Sequence, residues 1–322
     1  NIRVPIFLLH AYQDQQTGPS GAWLFNHLSD DVSKRLLISN GHHGMPVQFV
    51  AHRRAWFDFW LKDQQSSSFP DINDSDSRVL AFFEIPNGSA HRNTPLRSSD
   101  FPLPETQWTR YYLDSTNKLS TTPPNPEDES DADAYEVVSE AADDQLDRVE
   151  YRLVFDKPTA ICGPAVVTLW ASCSASDTDL FVLLSDVAPD GRVRHLQRGM
   201  LSASHRSLNK QMSTFAKIKG DRVLVRPYHT FSNPQPLEPG KAYRFEIEVF
   251  PVGHVFREDH QLSLSISKPP HADPVRYPKG KKEKITSGAY KYESRQPSST
   301  VTIHSSPEYP SSVLLPLLPS LP

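Results

Sequence analysis

Cysteine is nearly absent: the 322 residues hold two, Cys162 and Cys173. Two are too few for a disulfide framework or a thiolate metal cluster, and buried free thiols are the expected state rather than a cross-strand bond. Glycine is scarce at 13 residues against 29 prolines, and long helical patterns are few, so the composition favours a β-rich chain with proline-bounded loops. No long apolar run exists either. The longest, Val313 to Leu318, is interrupted by Pro316 and is far too short to span a bilayer. A net charge of −4 gives no electrostatic case for nucleic acid or an anionic membrane as partner. Missing too is any G-x-S-x-G string, the strand–turn–helix elbow that presents a nucleophilic serine. The nearest approach, Gly18-Pro19-Ser20-Gly21-Ala22, lies well beyond its strand and lacks the last glycine, so Ser20 reads as a helix cap.

What is present falls into two patterns. Residues 1 to about 65 read as β-loop-α-β-loop-α. Ile6–Leu9 and Arg35–Ile38 are continuous apolar strands of the kind buried on both faces of a parallel sheet. Trp23, Leu24, Phe25 and Leu28 mark a short helix, and a second runs from about Val47 to Lys62. In that second helix Trp56/Trp60 and Phe57/Leu61 sit at i,i+4 and form a broad apolar face that expects a large partner. Two strands cannot bury such faces alone. The chain also opens directly into a core strand, with no lead-in before Val4. The expectation is therefore a truncated doubly wound sheet whose other strands lie upstream, and the compartment stays unknown.

From about Val79 the pattern becomes short strands rich in β-branched and aromatic residues: Val79–Phe83, Trp108–Leu113, Glu150–Phe155, Ala165–Ala171, Asp179–Ser185, Val193–Leu201, Ala242–Val249 and His260–Ser267. Turn signals such as Pro189-Asp190-Gly191 and Leu237-Glu238-Pro239-Gly240 separate them. This predicts a two-sheet antiparallel sandwich, a jelly roll. Its core should include Phe181, Leu183, Tyr243, Phe245, Ile247, Leu262 and Leu264, with Glu246 and Glu248 facing solvent. Asp114–Asp147 is acidic and Pro/Ser/Thr-rich and reads as an exposed excursion; Lys279–Lys284 reads as solvated surface.

One constellation could carry chemistry. Asp14, and His42 with His43, follow the C-terminal ends of consecutive parallel strands, where the loops of an open α/β sheet face a common crevice. A carboxylate that accepts from one imidazole nitrogen fixes the tautomer and makes the other nitrogen a base. The order Asp then His is that of α/β-hydrolases, whose serine comes earlier. The plain alternative is a loop aspartate with two surface histidines. Zinc at Asp14, His42 and His43 would lack a well-spaced further ligand, and Asp177, Asp179, Asp186 and Asp190 lack calcium-loop spacing. No metal or cofactor is expected.

Several strings resemble one family. Val4-Pro5-Ile6 with His10-Ala11-Tyr12-Gln13-Asp14, then Arg35 to Gly44, then Trp56 to Lys62, are similar to the end of the hydrolase domain of the CocE/NonD (peptidase S15) hydrolases. Ile161-Cys162-Gly163-Pro164, Asp177-Thr178-Asp179, Asp186 to Gly191 and Gly199-Met200-Leu201 resemble its C-terminal domain. The resemblance implies residues 1–68 as the C-terminal portion of an α/β-hydrolase domain and residues 75–322 as a galactose-binding-like jelly roll, as in Xaa-Pro dipeptidyl-peptidases. It gives Asp14 the role of triad acid and His43 that of base. His43 is preferred over His42 because Gly44 follows it, although Gly41 replaces the tryptophan usual two residues before the base. Implied partners are a small ester, amide or peptide substrate, the upstream half of the hydrolase domain, and a second copy in a homo-oligomer. The competing expectation is a non-catalytic jelly-roll binding module with a vestigial α/β stub.

Overall fold

The computed structural model describes residues 2–14, 16–41, 43, 49–69, 71–83, 95–125, 132–137, 147–270, 274–275 and 297–322. His42, the first residues expected in the second helix (47–48) and the basic run at 279–284 lie outside them.

The first elements build a small sheet. Strand β1 (Ile6–Ala11) runs through helix α1 (Ser20–His27) to β2 (Lys34–Ser39), and the two strands pair in parallel from Ile6 opposite Lys34 to Ala11 opposite Ser39. Strand β2 is buried along its whole length, with the apolar run Leu36–Ile38 at its centre. Its two leading cations survive burial because they are satisfied. Lys34 Nζ donates to the Leu28 carbonyl at 2.9 Å, and Arg35 donates to the Asp71 carbonyl. Helix α2 (Val50–Lys62) then leads to β3 (Val79–Ala81), parallel to β2, and β4 (Leu96–Ser98) closes the edge antiparallel to β3.

This corrects one expectation. Val79–Phe83, read as the first strand of the β-rich half, pairs with β2, so the first sheet extends past residue 75. Val-Leu-Ala-Phe-Phe is a continuous apolar run rather than an alternating one, which is the signature of a covered parallel strand. The face of α2 divides as well. Trp56 is buried against Phe7 and Ile72, while Phe57 and Leu61 are 55 % and 75 % exposed.

Among the described residues, the regular elements of the remaining chain are almost all strands. In order these are β5 (Gln107–Leu113), β6 (Leu119–Ser120), β7 (Ala132–Val137), β8 (Arg148–Val154), β9 (Thr159–Cys173), β10 (Asp179–Val187), β11 (Val193–Ser202), β12 (Thr214–Ile218), β13 (Asp221–Arg226), β14 (Tyr243–Phe256), β15 (Gln261–Ser267), β16 (Ser299–His304) and β17 (Ser312–Leu317). All but β12 and β13 join one sheet of 11 strands, ordered β6-β5-β17-β9-β14-β11-β10-β15-β8, with β16 linking β7 to β9. Its ends approach one another: the Arg152 N–H donates to the Asn117 carbonyl at 3.0 Å and Lys118 bridges Arg152. The sheet is therefore barrel-like where two separate sheets are expected from the sequence, although β11 and β14 pair only at Gly199 and Val249. Part of the acidic stretch is structural, since β6 and β7 bury Leu119, Tyr135 and Val137.

Phe245, Ile247, Leu262 and Leu264 lie in the core of this sheet, and Tyr243 packs against its edge. On β10 Leu180, Val182 and Leu184 join the central cluster; Phe181, on the opposite face, is buried as expected, whereas Leu183 is only half-buried. Five consecutive apolar residues leave the pleat nothing to distinguish the faces with. Glu246 is buried, contrary to expectation, and accepts from Thr168 Oγ1 at 2.7 Å while pairing with Arg244 at 2.5 Å. Glu248 pairs with Arg226 at 2.8 Å. The hairpin β12–β13 covers this outer face, with Val225 packed on Val166 and Leu314, so alternation continues but the polar side is roofed. Cys162 and Cys173 are free and buried, as expected.

The burial contrast is testable by urea denaturation. Leu264→Ala, at 0 % exposure, should cost about 2–5 kcal/mol through loss of packing and the cavity left behind. Leu61→Ala should stay within about 0.5 kcal/mol.

Candidate functional site

Parallel pairing of β1 with β2 brings the loops after both strands to one edge of the small sheet. Asp14 is three residues beyond β1 and His43 four beyond β2. Asp14 is fixed by its own turn: Oδ1 accepts from the Gln16 N–H at 2.8 Å and the Thr17 N–H at 3.0 Å, and Oδ2 from Thr17 Oγ1 at 2.7 Å. Aspartate followed three residues later by threonine is a turn-forming spacing, the signal in the sequence that marks this loop.

His43 completes the arrangement. Its Nδ1 lies 3.1 Å from Asp14 Oδ2 and 3.2 Å from Oδ1. With Nδ1–H donating to the carboxylate, Nε2 is the unprotonated, basic nitrogen. The carboxylate is the sheltered end of the pair and the imidazole the open end, 42 % exposed against 10 % for the Asp14 side chain.

Burial by itself would raise the Asp14 pKa. The hydrogen bonds from Thr17, Gln16 and His43 outweigh it and hold the carboxyl below its ordinary value. The pKa of His10, on β1 four residues before Asp14, is lowered by burial, against the opposing pull of Asp14 and a hydrogen bond to the Gly18 backbone.

Other groups weighed from the sequence have structural placements. Pro19 rather than Ser20 caps α1; Ser20 is the first helical residue and its hydroxyl donates to the Thr17 carbonyl. The Cys162 thiol, within 3.6 Å of the Tyr12 hydroxyl, is pushed up to about 12 by burial, which removes it as a nucleophile. The acidic residues considered for calcium are dispersed. Asp177 holds Ser204 through its amide and hydroxyl, Asp179 takes the Ser202 hydroxyl, Asp190 pairs with Arg192, and Asp186 lies between His254 and His260. Among the described residues no group of three or more His, Cys, Asp or Glu side chains is arranged to hold a metal.

The lowered Asp14 pKa sets a pH dependence. A carboxylate more acidic in the folded than in the unfolded state stabilises the fold above the unfolded pKa of about 3.9, and that stabilisation fades as pH falls through the folded value. Thr17→Val should therefore destabilise the protein near pH 7 and lose that effect at low pH. Paired urea midpoints from pH 7 down to pH 2.5 would check it.

Comparison with known proteins places the chain as a whole. A family model described as the X-Pro dipeptidyl-peptidase C-terminal non-catalytic domain matches residues 59–314, a span that begins after both Asp14 and His43. A protein of Mycobacterium bovis named as a serine esterase is 32 % identical over 114 residues, 35 % of this chain and 17 % of that protein. The cocaine esterase of a Rhodococcus species is 28 % identical over 167 residues, 51 % of this chain and 24 % of that enzyme. A crystal structure of a CocE/NonD family hydrolase from Staphylococcus aureus superposes with a TM-score of 0.77 at 19 % identity, covering 98 % of this chain and 55 % of that one. An α-amino acid ester hydrolase superposes at 0.68 with 17 % identity, again covering 98 % of this chain and 56 % of the other. The chain thus spans about half the length of these solved relatives, and its matched segments span less of the curated ones. The fold is shared with these hydrolases, and with most of its length matched by the family model the chain belongs to the X-Pro dipeptidyl-peptidase C-terminal domain family.

Proposed function

We propose that this chain supplies the acid and the base of a Ser-His-Asp acyl hydrolase whose serine lies upstream of it. The observation that carries the reading is the Asp14 carboxylate at 3.1 Å from His43 Nδ1, in loops that follow adjacent parallel strands. In this reading the four-stranded sheet is the C-terminal portion of an α/β-hydrolase domain, completed by an upstream half, and the eleven-stranded sheet is its jelly-roll companion. His43 Nε2 takes the proton of the upstream serine as it attacks an ester or amide carbonyl. Asp14 holds the imidazole in that tautomer and stabilises the imidazolium that forms. The same nitrogen then protonates the leaving group, and in the second half-reaction it deprotonates the water that releases the acid. The cycle needs no metal or cofactor. Substrates are small esters, amides or peptides.

A second reading has one observation in its favour: the matching family model is described as non-catalytic and starts beyond the pair. The chain would then be a binding module whose Asp14–His43 pair is vestigial. Hydrolysis of p-nitrophenyl acetate by the natural protein that carries this chain separates the two. On the hydrolase reading, His43→Ala and Asp14→Asn each lower kcat by about 10⁴-fold with little change in KM, as loss of a triad member does. The chain without an upstream fragment should give no turnover that depends on His43. Activity indifferent to both substitutions would favour the module.

A further inference from the structure

Strand pairing alone does not fix the loops of Asp14 and His43. Three side-chain amides join them to each other and to the large sheet. Gln13, immediately before Asp14, donates from Nε2 to Asn40 Oδ1 at 2.8 Å, and its Oε1 accepts the Gly41 N–H at 2.8 Å, so the two loops are tied together. Both are then anchored outward. Gln13 Nε2 also reaches the Leu196 carbonyl on β11 at 3.3 Å, and Asn40 Nδ2 donates to the Gly253 carbonyl on β14 at 2.9 Å.

Gln197 holds the centre of this seam. It is fully buried, and its Nε2 donates to the Tyr12 carbonyl at 2.6 Å and the Pro251 carbonyl at 2.7 Å. Its Oε1 accepts from Arg198 Nη1 at 2.8 Å. Both amide hydrogens are therefore used, and a flipped amide would press its oxygen against two carbonyl oxygens, so one orientation is selected. Pro251 lies where β14 leaves its register with β9, between Val249 and Val252. That irregularity leaves the Pro251 carbonyl out of the β14–β9 ladder, where it accepts from Gln197. Two residues on, a Cβ at Gly253 would sit 2.5 Å from the Tyr12 ring, so only glycine lets Tyr12 lie against β14.

We propose that Gln197 is a positioning residue for the Asp14–His43 pair: from the large sheet it sets the backbone at Tyr12, two residues before Asp14, so that the carboxylate meets His43 Nδ1. The inference rests on the reading of that pair given above. Catalytic pairs tolerate little misplacement, and here the position of one loop depends on an amide in another sheet.

The test reads the imidazole directly and needs no activity. In the ¹⁵N-histidine-labelled full chain, long-range ¹H–¹⁵N spectra taken above the titration range of the imidazole should show neutral His43 as the Nδ1–H tautomer. Gln197→Leu keeps the volume and removes the donors. It should move His43 toward the Nε2–H tautomer that imidazoles without a carboxylate partner favour, with near-ultraviolet circular dichroism retained. An unchanged tautomer in Gln197→Leu, whatever its stability, would mean that Gln197 only packs, and would overturn the proposal. A wild-type His43 already in the Nε2–H form would instead sink the underlying reading of the pair. Should Gln197→Leu fail to fold, hydrogen exchange of the wild-type protein decides. The Gly41 amide is expected to exchange as slowly as the amides of β14, and fast exchange there would overturn the proposal.

Discussion

The in-register parallel pairing of β1 with β2 is the constraint on which the site depends. Parallel strands carry their C-terminal ends to the same edge, so two loops separated by a helix in sequence emerge side by side. The pairing holds because β2 has apolar neighbours on every side, with Leu36 and Ile38 packed in one cluster and Leu37 in another. A slip of one residue would turn those faces over and would also part Asp14 from His43. Burial of three aliphatic side chains and alignment of a carboxylate with an imidazole are thus one requirement.

That strand is not stabilised by its own sheet alone. The cluster containing Leu36 and Ile38 includes Tyr12 and Phe25 from the first sheet and its helix. It also includes Ala160, Cys162, Val255 and Leu318 from the second half of the chain. The two sheets share a core, and the polar seam of Gln13, Asn40 and Gln197 runs beside it. Apolar burial supplies most of the free energy of such a contact and is indifferent to small rotations, whereas satisfied amides accept a narrow range of geometries. The clusters hold the sheets together, and the amides set how the loops meet.

Legibility in the sequence followed the strength of each local signal. The apolar strands around Leu8 (half-buried) and Leu37 (buried), the long alternating strands through Phe245 and Leu264, and the loop positions of Asp14 and His43 all carry period or context that a single chain reveals. Val79–Ala81 was assigned to the wrong sheet because three apolar residues fit either, and partner choice is a tertiary fact. Glu246 reads as solvent-facing because alternation reports a side of the strand and not what covers it; that the β12–β13 hairpin folds over this face is a tertiary fact. The role of Gln197 had no local signal, since its partners are the carbonyls of Tyr12 and Pro251, one of them 185 residues distant.

The protein also holds a second carboxylate–imidazole group, and the contrast explains why only one was taken as a site. Asp186 accepts from His254 Nε2 at 2.8 Å and from His260 Nδ1 at 2.7 Å, contacts shorter than that between Asp14 and His43. Yet the His254 side chain is 1 % exposed, and burial, opposed by Asp186, lowers its pKa. A base must take up a proton from a reacting group and later return it. A ring sealed on β14 has no route for that exchange, and its charged form is penalised by the same burial that strengthens its hydrogen bond. His43 has the longer hydrogen bond, an open ring and a carboxylate sheltered behind it. Short contacts mark where the chain needs rigidity; accessibility of the imidazole beside a held carboxylate marks where proton transfer can occur.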